Sequence, residues 1–490
     1  MRVRIDNGGT SVKQHYRLGV GSWAADHEGN IRIGGKFRDW TTEKSLHARA
    51  TTDHSWEKLI EFDRFVEHGF WFAGFSEDPN LIYVYSDADT DRERDKTAVY
   101  TFDLSQNVLR DLIFEDTSHD LDTGYLLNSP TDGRLLAIHY YRERAEVHVV
   151  DPEWQRVWER AVRDFPGQNV YVRSWDATAK RMLLSVSSDR TPPGTYLYDS
   201  ESGQIDKLFD SYPLLQHIEF SAMEPVRFEA RDGREIHGYV TRPTDHEAPG
   251  PTIVVPHGGP RSRDVIEWDP VVQFLVQRGF TVFQLNFRGS SGYGREHERA
   301  GDHEWGGKIQ DDIRDGVRWL VSQGIADPER IGIFGVGFGG YAALMGLVEY
   351  PALYKAGAVF GAITDLIKFT TGDARSRRIR INEYLIGRPL ADRSRLIENS
   401  PVKQAANIRA AVLLGHGAEN PSVDQAHTIS MARALRRTGG TVDTHLYPAA
   451  THSFIDERDG IDFYRRVADL FERHLNPDVP EKGIPPRSIE

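Results

Sequence analysis

The chain has 490 residues, and its 73 Asp and Glu residues outnumber its 60 Lys and Arg residues, which gives a net charge of −13. This acidic balance argues against broad contact with nucleic acid or an anionic membrane, because both need clustered basic side chains. The absence of cysteine excludes a disulfide framework, thiolate metal sites and a cysteine nucleophile. No apolar run approaches the roughly 18–20 residues that cross a bilayer, and the N-terminus lacks a secretory signal. We therefore expect a cytoplasmic protein that makes no contact with membranes or nucleic acid.

The first part of the chain is repetitive. Three segments share a polar turn, an apolar strand, a charged loop and a second strand, and they end at the equally spaced Asp103, Asp151 and Asp199. Four short strands in a repeat of about 40–50 residues are typical of a β-propeller blade. Residues 1–215 are therefore predicted to form an all-β propeller of about four to five blades. Closed propellers have about 4–8 blades, so this one is predicted to be shortened, with the missing length at its N-terminus.

One acidic segment of this region has the opening pattern of a calcium loop. Asp87, Asp89 and Asp91 alternate with other residues, but Arg92 takes the place of the glycine and Ala98 that of the final glutamate. We interpret the segment as a solvated loop between two strands.

From about residue 221 the pattern changes to buried strands that alternate with amphipathic helices. Near-continuous Val, Ile and Leu strands separated by helices predict a mostly parallel, doubly wound sheet with helices on both faces. Residues 221–476 are predicted to form this domain, and the Pro-rich polar tail 477–490 is predicted to be disordered. Ligands of such sheets bind at the carboxyl ends of the strands, so the residues that follow each strand are the candidate site.

The turns that follow the strands carry the candidate site residues. His257, Gly258 and Gly259 follow one strand, and Gly337 and Phe338 connect another to a helix. Asn420 and then His452 follow the last two strands. This order of turns is that of nucleophile, acid and base in an α/β-hydrolase.

The segments HGGP, NFRGSSGYG, GVGFGGYAALMG, LLGHGAEN and YPAATHSF resemble the catalytic domain of the prolyl oligopeptidase family, above all its acylaminoacyl-peptidase-like branch. The resemblance extends over residues 225–475. It implies an α/β-hydrolase domain preceded by a β-propeller, serine-type cleavage of short peptides without a cofactor, and a propeller that filters what reaches the site.

The chain departs from that family at two of the three positions where the chemistry takes place. Gly337 stands where the nucleophilic serine belongs, Asn420 stands where the aspartate belongs, and only His452 matches the triad. A glycine has no side-chain oxygen and forms no acyl-enzyme. Peptidase activity is therefore predicted to be lost or severely reduced. His257, Gly258, Gly259 and Phe338 are predicted to retain an oxyanion-type pocket for a short peptide or an acylated small molecule, in a chain that forms a homo-oligomer.

Two alternatives remain open from the sequence. The first is a working peptidase or esterase with another nucleophile, for which Ser290, Ser291 and Ser453 are candidates, and with Glu419 or Asp424 as the acid. The second is nucleotide binding, because Gly335, Gly337 and Gly340 match the dinucleotide fingerprint and Asp365 lies near the position of a ribose-binding acid. No histidine spacing suggests a metal site.

Overall fold

The computed structural model describes residues 2–3, 10–11, 20, 22–37, 43–49, 55–88, 93–244, 248–372 and 379–476. Asp89 and Asp91 of the acidic segment and the tail 477–490 lie outside the described residues. No helix in the described part of the chain is both long enough and apolar enough to cross a bilayer.

The N-terminal part is a succession of antiparallel sheets. Its strands are β1 (Arg2–Val3), β2 (Thr10–Ser11), β3 (Ser22–Ala25), β4 (Ile31–Phe37), β5 (Glu43–Ala48), β6 (Glu57–Asp63), β7 (Phe70–Phe75), β8 (Leu81–Ala88), β9 (Glu93–Asp103), β10 (Val108–Phe114), β11 (Tyr125–Asn128), β12 (Leu135–Tyr141), β13 (Ala145–Val149), β14 (Asn169–Trp175), β15 (Arg181–Ser188), β16 (Thr191–Asp199) and β17 (Ile205–Asp210). After the short pair of β1 and β2, four sheets follow one another along the chain, namely β3–β6, β7–β10, β11–β13 and β14–β17. This arrangement is that of consecutive propeller blades.

The repeated aspartates turn the chain after the third strand of a sheet. The Asp103 carboxylate accepts the N–H groups of Ser105 (2.9 Å) and Gln106 (3.0 Å). Asp199 does the same with the next residues of its own turn. Side-chain turns of this kind are a common use of aspartate, which explains why the repeats share it.

The third sheet departs from the predicted four strands. Helix α1 (Pro152–Val162) follows β13 in place of a fourth strand. Asp151 begins this helix by accepting the N–H of Trp154 at 2.7 Å, and Pro152 occupies its first position. Because both residues favour a helix start and Trp154 packs into the core, a helix forms here instead of a strand.

The C-terminal part is an α/β domain. Its strands are β18 (Met223–Glu229), β19 (Glu235–Thr241), β20 (Gly250–Val254), β21 (Thr281–Asn286), β22 (Ala326–Val336), β23 (Ala356–Phe360), β24 (Ala411–Gly417) and β25 (Val442–Tyr447), and its helices are α2 (Pro270–Gln277), α3 (Arg295–Arg299), α4 (Lys308–Ser322), α5 (Phe338–Glu349), α6 (Leu366–Thr371), α7 (Ile379–Leu385), α8 (Arg393–Glu398), α9 (Ala426–Arg437) and α10 (Glu457–Leu475). The eight strands form one sheet in the order β18-β19-β21-β20-β22-β23-β24-β25. Strands β20 to β25 are parallel, and β19 joins them through antiparallel pairs with β18 and β21.

Helices cover both faces of this sheet. Side chains of α4, α5 and α9 build the core on one face, and those of α2 and α10 build the core on the other. The chain is thus an α/β hydrolase preceded by an all-β propeller, and the carboxyl ends of β20, β22, β24 and β25 lie at one edge of the sheet, as the parallel order requires.

The two parts are joined by polar contacts from the propeller to two segments of the hydrolase domain. Asn169 donates to the carbonyl oxygen of Ile266 at 3.0 Å, and the N–H of Ile266 donates to the Glu143 carbonyl oxygen at 2.6 Å. Asp120 accepts the N–H of Gly294 at 2.8 Å. The propeller therefore lies against the loops that follow β20 and β21, next to the candidate site.

Candidate active site

Gly337 forms the sharp turn between β22 and α5. Its backbone lies at φ 59° and ψ −116°, its N–H donates to the Phe360 carbonyl oxygen at 3.0 Å, and its own carbonyl oxygen accepts from Tyr341 at 3.0 Å. A residue with a side chain is strained in this conformation, whereas glycine is not. The turn therefore has the shape of a nucleophile elbow without the strain that a nucleophile brings to it.

The neighbouring glycines are needed because backbone segments approach each other closely. A Cβ on Gly335 would collide with the carbonyl group of Gly339, and a Cβ on Gly339 would collide with the Pro256 carbonyl oxygen at the end of β20. Both positions therefore require glycine, and the elbow is closely packed against the turn after β20.

His452 faces the elbow from the loop between β25 and α10. A Cβ built on Gly337 would lie 3.0 Å from Cε1 and 3.1 Å from Nε2 of His452. Burial lowers the pKa of His452, so the imidazole is neutral at pH 7. The ring therefore presents its Nε2 edge to the space that a side chain at residue 337 would occupy.

Asn420 holds the other edge of the imidazole. Its side chain is buried, and its Oδ1 accepts the N–H groups of Ser422 at 2.9 Å and Val423 at 3.1 Å. Because two donors face Oδ1, the amide nitrogen is the atom that lies 3.2 Å from Nδ1 of His452. The orientation of the amide is thus set by the backbone of its own turn.

This orientation decides which ring nitrogen of His452 carries the proton. Since Nδ2 of Asn420 donates, Nδ1 of His452 must accept, and in a neutral ring the proton is then on Nε2. A general base of the triad type needs the opposite tautomer, with the lone pair on Nε2 directed at the nucleophile. At this site His452 is a hydrogen-bond donor toward the elbow.

The turn after β20 adds backbone groups to the same site. A Cβ on Gly258 would lie 3.8 Å from the Val336 carbonyl oxygen, which places this turn beside the elbow, and Gly259 has φ 117°. Phe338 is the first residue of α5, so its N–H has no partner inside the helix. The turn of Gly258 and Gly259 thus lies beside the elbow that Phe338 follows, and an oxyanion-type pocket formed by these residues stays a prediction.

The side chain of His257 points into the protein. Its Nε2 lies 2.8 Å from the Ser290 hydroxyl, its Nδ1 lies 2.7 Å from the Gly258 carbonyl oxygen, and its ring stacks on Phe287 at 4.3 Å. Burial lowers the pKa of His257 to about 4, so the ring is neutral and Nδ1–H donates to Gly258. His257 therefore fixes the glycine turn and leaves ligand contacts to the backbone.

Among the described residues, no hydrogen bond joins the side chain of any of the alternative serines to the ring of His452. The Ser290 hydroxyl is fully buried and also lies 2.7 Å from the Phe287 carbonyl oxygen. The N–H of Ser291 bonds to Ser262, and Ser453 is exposed beside His452. Of the two alternative acids, Glu419 is bound through its N–H to Ala450, and Asp424 accepts the N–H of Ala426 at the start of α9.

The residues of the glycine fingerprint serve packing and helix capping. A Cβ on Gly340 would lie 2.9 Å from the side chain of Ala362. Asp365 caps α6 by accepting the N–H of Lys368 at 3.1 Å and pairs with Lys403 at 3.3 Å. The carboxylate that would bind a ribose is therefore bonded within the protein.

Other polar residues near the site have structural partners. Arg288 bonds both Asp312 and Asp232, and His416 lies between Thr428 and the Val423 carbonyl oxygen. Within the described ranges, no group of three His, Asp or Glu side chains is placed to hold a metal ion.

A cavity of about 580 Å³ opens between the propeller and the hydrolase segments that follow β20 and β21, and none of Gly337, Asn420 and His452 is among its lining residues. Arg261 and Ser291, from the turns after β20 and β21, form its hydrolase wall, while its propeller wall includes Trp23, Trp71 and Asp122. Sequence reasoning missed this cavity because its walls come from distant parts of the chain.

The sequence also did not reveal the hydrogen bonds from Ser422 and Val423 that hold the side chain of Asn420. The tendency of asparagine to bond the backbone two residues further on was a usable signal for them.

Comparison with known proteins gives a consistent result. The model of the prolyl oligopeptidase family matches residues 267–478. The dipeptidyl aminopeptidase BIII of Pseudoxanthomonas mexicana is 30% identical over 92% of this chain, and the dipeptidyl peptidase family member 6 of Caenorhabditis elegans is 24% identical over 93%. The chain spans 66% and 65% of the length of these two relatives. Among solved structures, a puromycin-hydrolyzing peptidase of Mycobacterium tuberculosis superposes with a TM-score of 0.75 at 20% identity, over 94% of this chain and 70% of that one.

Proposed function

Because the chain belongs to the prolyl oligopeptidase family, we propose that it binds peptides or acylated small molecules at the family's site without appreciable cleavage. The observation that carries the proposal is the pair of Asn420 and His452, whose hydrogen bond of 3.2 Å makes the imidazole a donor at a position that needs a base. Gly337 supplies no nucleophile beside it.

The two replacements in the triad are expected to reduce turnover strongly. In triads of this kind, removal of the nucleophile costs about 10⁶ in turnover and replacement of the acid by its amide about 10⁴, and the two losses do not add. The backbone donors and substrate binding alone leave about 10³–10⁴ over the reaction in water. We therefore expect turnover far below that of an intact serine peptidase.

The pocket supports a binding role. Gly335 and Gly339 keep the elbow in its packed form, and the N–H of Phe338 remains at the start of α5. The relatives are named as peptidases, one of them a dipeptidyl aminopeptidase, and we extend to this chain only their peptide-like ligand class. A cytoplasmic location and self-association remain predictions from the sequence.

The test combines a fluorophosphonate probe with hydrolysis assays on acyl-peptides and p-nitrophenyl esters. We expect the unaltered protein to stay unlabelled by intact mass and to show no turnover above a His452→Ala control. The double variant Gly337→Ser with Asn420→Asp should become labelled and gain measurable turnover. Stoichiometric labelling of a serine in the unaltered protein would establish the alternative, an active peptidase or esterase with another nucleophile.

A further inference from the structure

We infer that the vacated nucleophile position binds a carboxylate, so that the ligand of this site is a free acid, such as the C-terminus of a short peptide or an acylated amino acid. The inference rests on the proposed function and specifies its ligand. It depends on the donors and the space at residue 337.

The first donor is the imidazole of His452. Asn420 donates to Nδ1 at 3.2 Å, and its own Oδ1 is held by the N–H groups of Ser422 and Val423, so the amide cannot turn over without breaking both bonds. The proton of the neutral ring is therefore fixed on Nε2. An unprotonated Nε2 would repel a carboxylate oxygen, whereas the protonated Nε2 of His452 donates a hydrogen bond to one.

The space for that oxygen is beside Gly337. A Cβ at this position would lie 3.1 Å from Nε2 of His452, so an oxygen at the same place is within hydrogen-bond reach of Nε2–H. With glycine at residue 337 this volume is not filled by the protein's own side chain. A small oxygen fits it, whereas a side chain would displace His452.

The second set of donors is backbone. The N–H of Phe338 starts α5, a helix of 12 residues, and the turn of Gly258 and Gly259 lies beside it. Helix N-termini stabilise anions through their free N–H groups and the helix dipole. Phe338 directly follows Gly337 in the chain, so its N–H belongs to the same turn that the imidazole faces.

The geometry of an acyl-enzyme gives a stereochemical reason to expect a carboxylate at this site. In an acyl-enzyme, the acyl carbon carries the nucleophile's oxygen near the imidazole and the carbonyl oxygen near the backbone donors. A free carboxylate has two oxygens on one carbon in the same relation. With Gly337 in place of serine, one oxygen can take the place of the absent hydroxyl while the other accepts from the backbone.

The carboxylate is bound without uptake of a proton. Protonation of Nδ1 would bring two donors together across the 3.2 Å contact with Asn420, and burial lowers the pKa of His452 as well. His416 is the titratable neighbour that senses the charge of His452, and burial lowers its pKa also. Both rings are therefore neutral near pH 7, and binding should not change as the pH rises from about 7 to about 8.

The test is titration calorimetry on the full chain with N-acetyl-leucine and its amide, which differ only in the carboxylate. Charge-assisted hydrogen bonds are about twice as strong as neutral ones, so we expect the acid to bind at least tenfold more tightly. Repeating the titration in buffers of different ionisation enthalpy should give a proton uptake near zero. In the Asn420→Asp variant, His452 must become protonated between two carboxylates, and binding of the acid should take up about one proton.

Two glycine variants distinguish the effect of filling the volume beside His452 from the effect of backbone strain at a positive φ. Gly337→Ala fills the vacated volume beside His452 and should abolish the preference for the acid. Gly439→Ala is the matched control, because Gly439 also has a positive φ (76°) but a Cβ there meets nothing within 4 Å, and it should keep the preference. Circular dichroism melts establish that both variants are folded.

The outcomes distinguish this inference from the proposed function. Equal affinity for acid and amide, no binding of the acid at millimolar concentration, or uptake of a proton by the unaltered protein would each overturn the inference. Labelling by the fluorophosphonate probe would overturn the proposed function instead, and the ratio of acid to amide affinity would still be measured independently of it.

Discussion

Replacement of Gly337 by serine returns a hydroxyl to the elbow, and the structure allows its cost to be estimated. A side chain at φ 59° and ψ −116° costs about 1–3 kcal/mol. The new Cβ would also lie 3.0 Å from His452, so the ring must shift by a few tenths of an ångström. We expect the free energy of unfolding to fall by about 1–3 kcal/mol, which corresponds to about 2–4 °C in Tm for each kcal/mol.

The gain in activity depends on Asn420. In the single variant Gly337→Ser, the amide keeps the proton of His452 on Nε2, so the new hydroxyl has no base to accept its proton. Adding Asn420→Asp reverses the tautomer, and the double variant should exceed the single one by about 10⁴ in turnover. p-Nitrophenyl ester hydrolysis measures both variants, with scanning fluorimetry on the same samples.

The control for stability is Gly439→Ser, which carries a positive φ of 76° in open space. It should lose less stability than Gly337→Ser, because it has no contact with another side chain. If the single and double variants hydrolyse ester within tenfold of each other, the tautomer reasoning is wrong. If Gly337→Ser is as stable as the unaltered protein, the assignment of strain at the elbow is wrong.

Three further predictions concern packing and charge. Gly339→Ala should greatly reduce the yield of folded protein, because its Cβ would collide with the Pro256 carbonyl oxygen; soluble expression measures this. Asp312→Ala should cost about 3–5 kcal/mol in urea unfolding, since Arg288 would lose a buried partner at the site loops. Burial and a neighbouring carboxylate raise the pKa of Asp122, so the folded state keeps a proton that the unfolded chain releases above about pH 4. Its contribution to stability is therefore present at low pH and lost towards neutral pH, and Asp122→Asn should raise the Tm at pH 8 but not at pH 4.

Much of the fold follows from local sequence signals. Alternation of apolar strands and amphipathic helices predicts the parallel sheet, and motif order identifies the positions of Gly337, Asn420 and His452, which the structure brings together. The helix that replaces a strand after Asp151 was not predicted, because the repeat pattern concealed its capping signal.

The chemistry of the site depends on contacts that the sequence does not specify. The sequence identifies Asn420 as a replaced acid, but which of its side-chain atoms faces His452 depends on the N–H groups of Ser422 and Val423. The cavity likewise arises from residues of the propeller and the hydrolase that are distant in the chain. Tertiary contacts, which no local pattern encodes, therefore decide whether the imidazole is a base or a donor.

The protonation of His452 tests the account most directly. Nitrogen-15 NMR of the imidazole, assigned by comparison with a His452→Gln variant, distinguishes a protonated ring nitrogen from an unprotonated one. We predict that in the unaltered protein near pH 7 Nε2 is protonated and Nδ1 is not, and that Asn420→Asp reverses the two. A proton on Nδ1 of the unaltered protein would contradict the account, because Nε2 would then be free to act as a base.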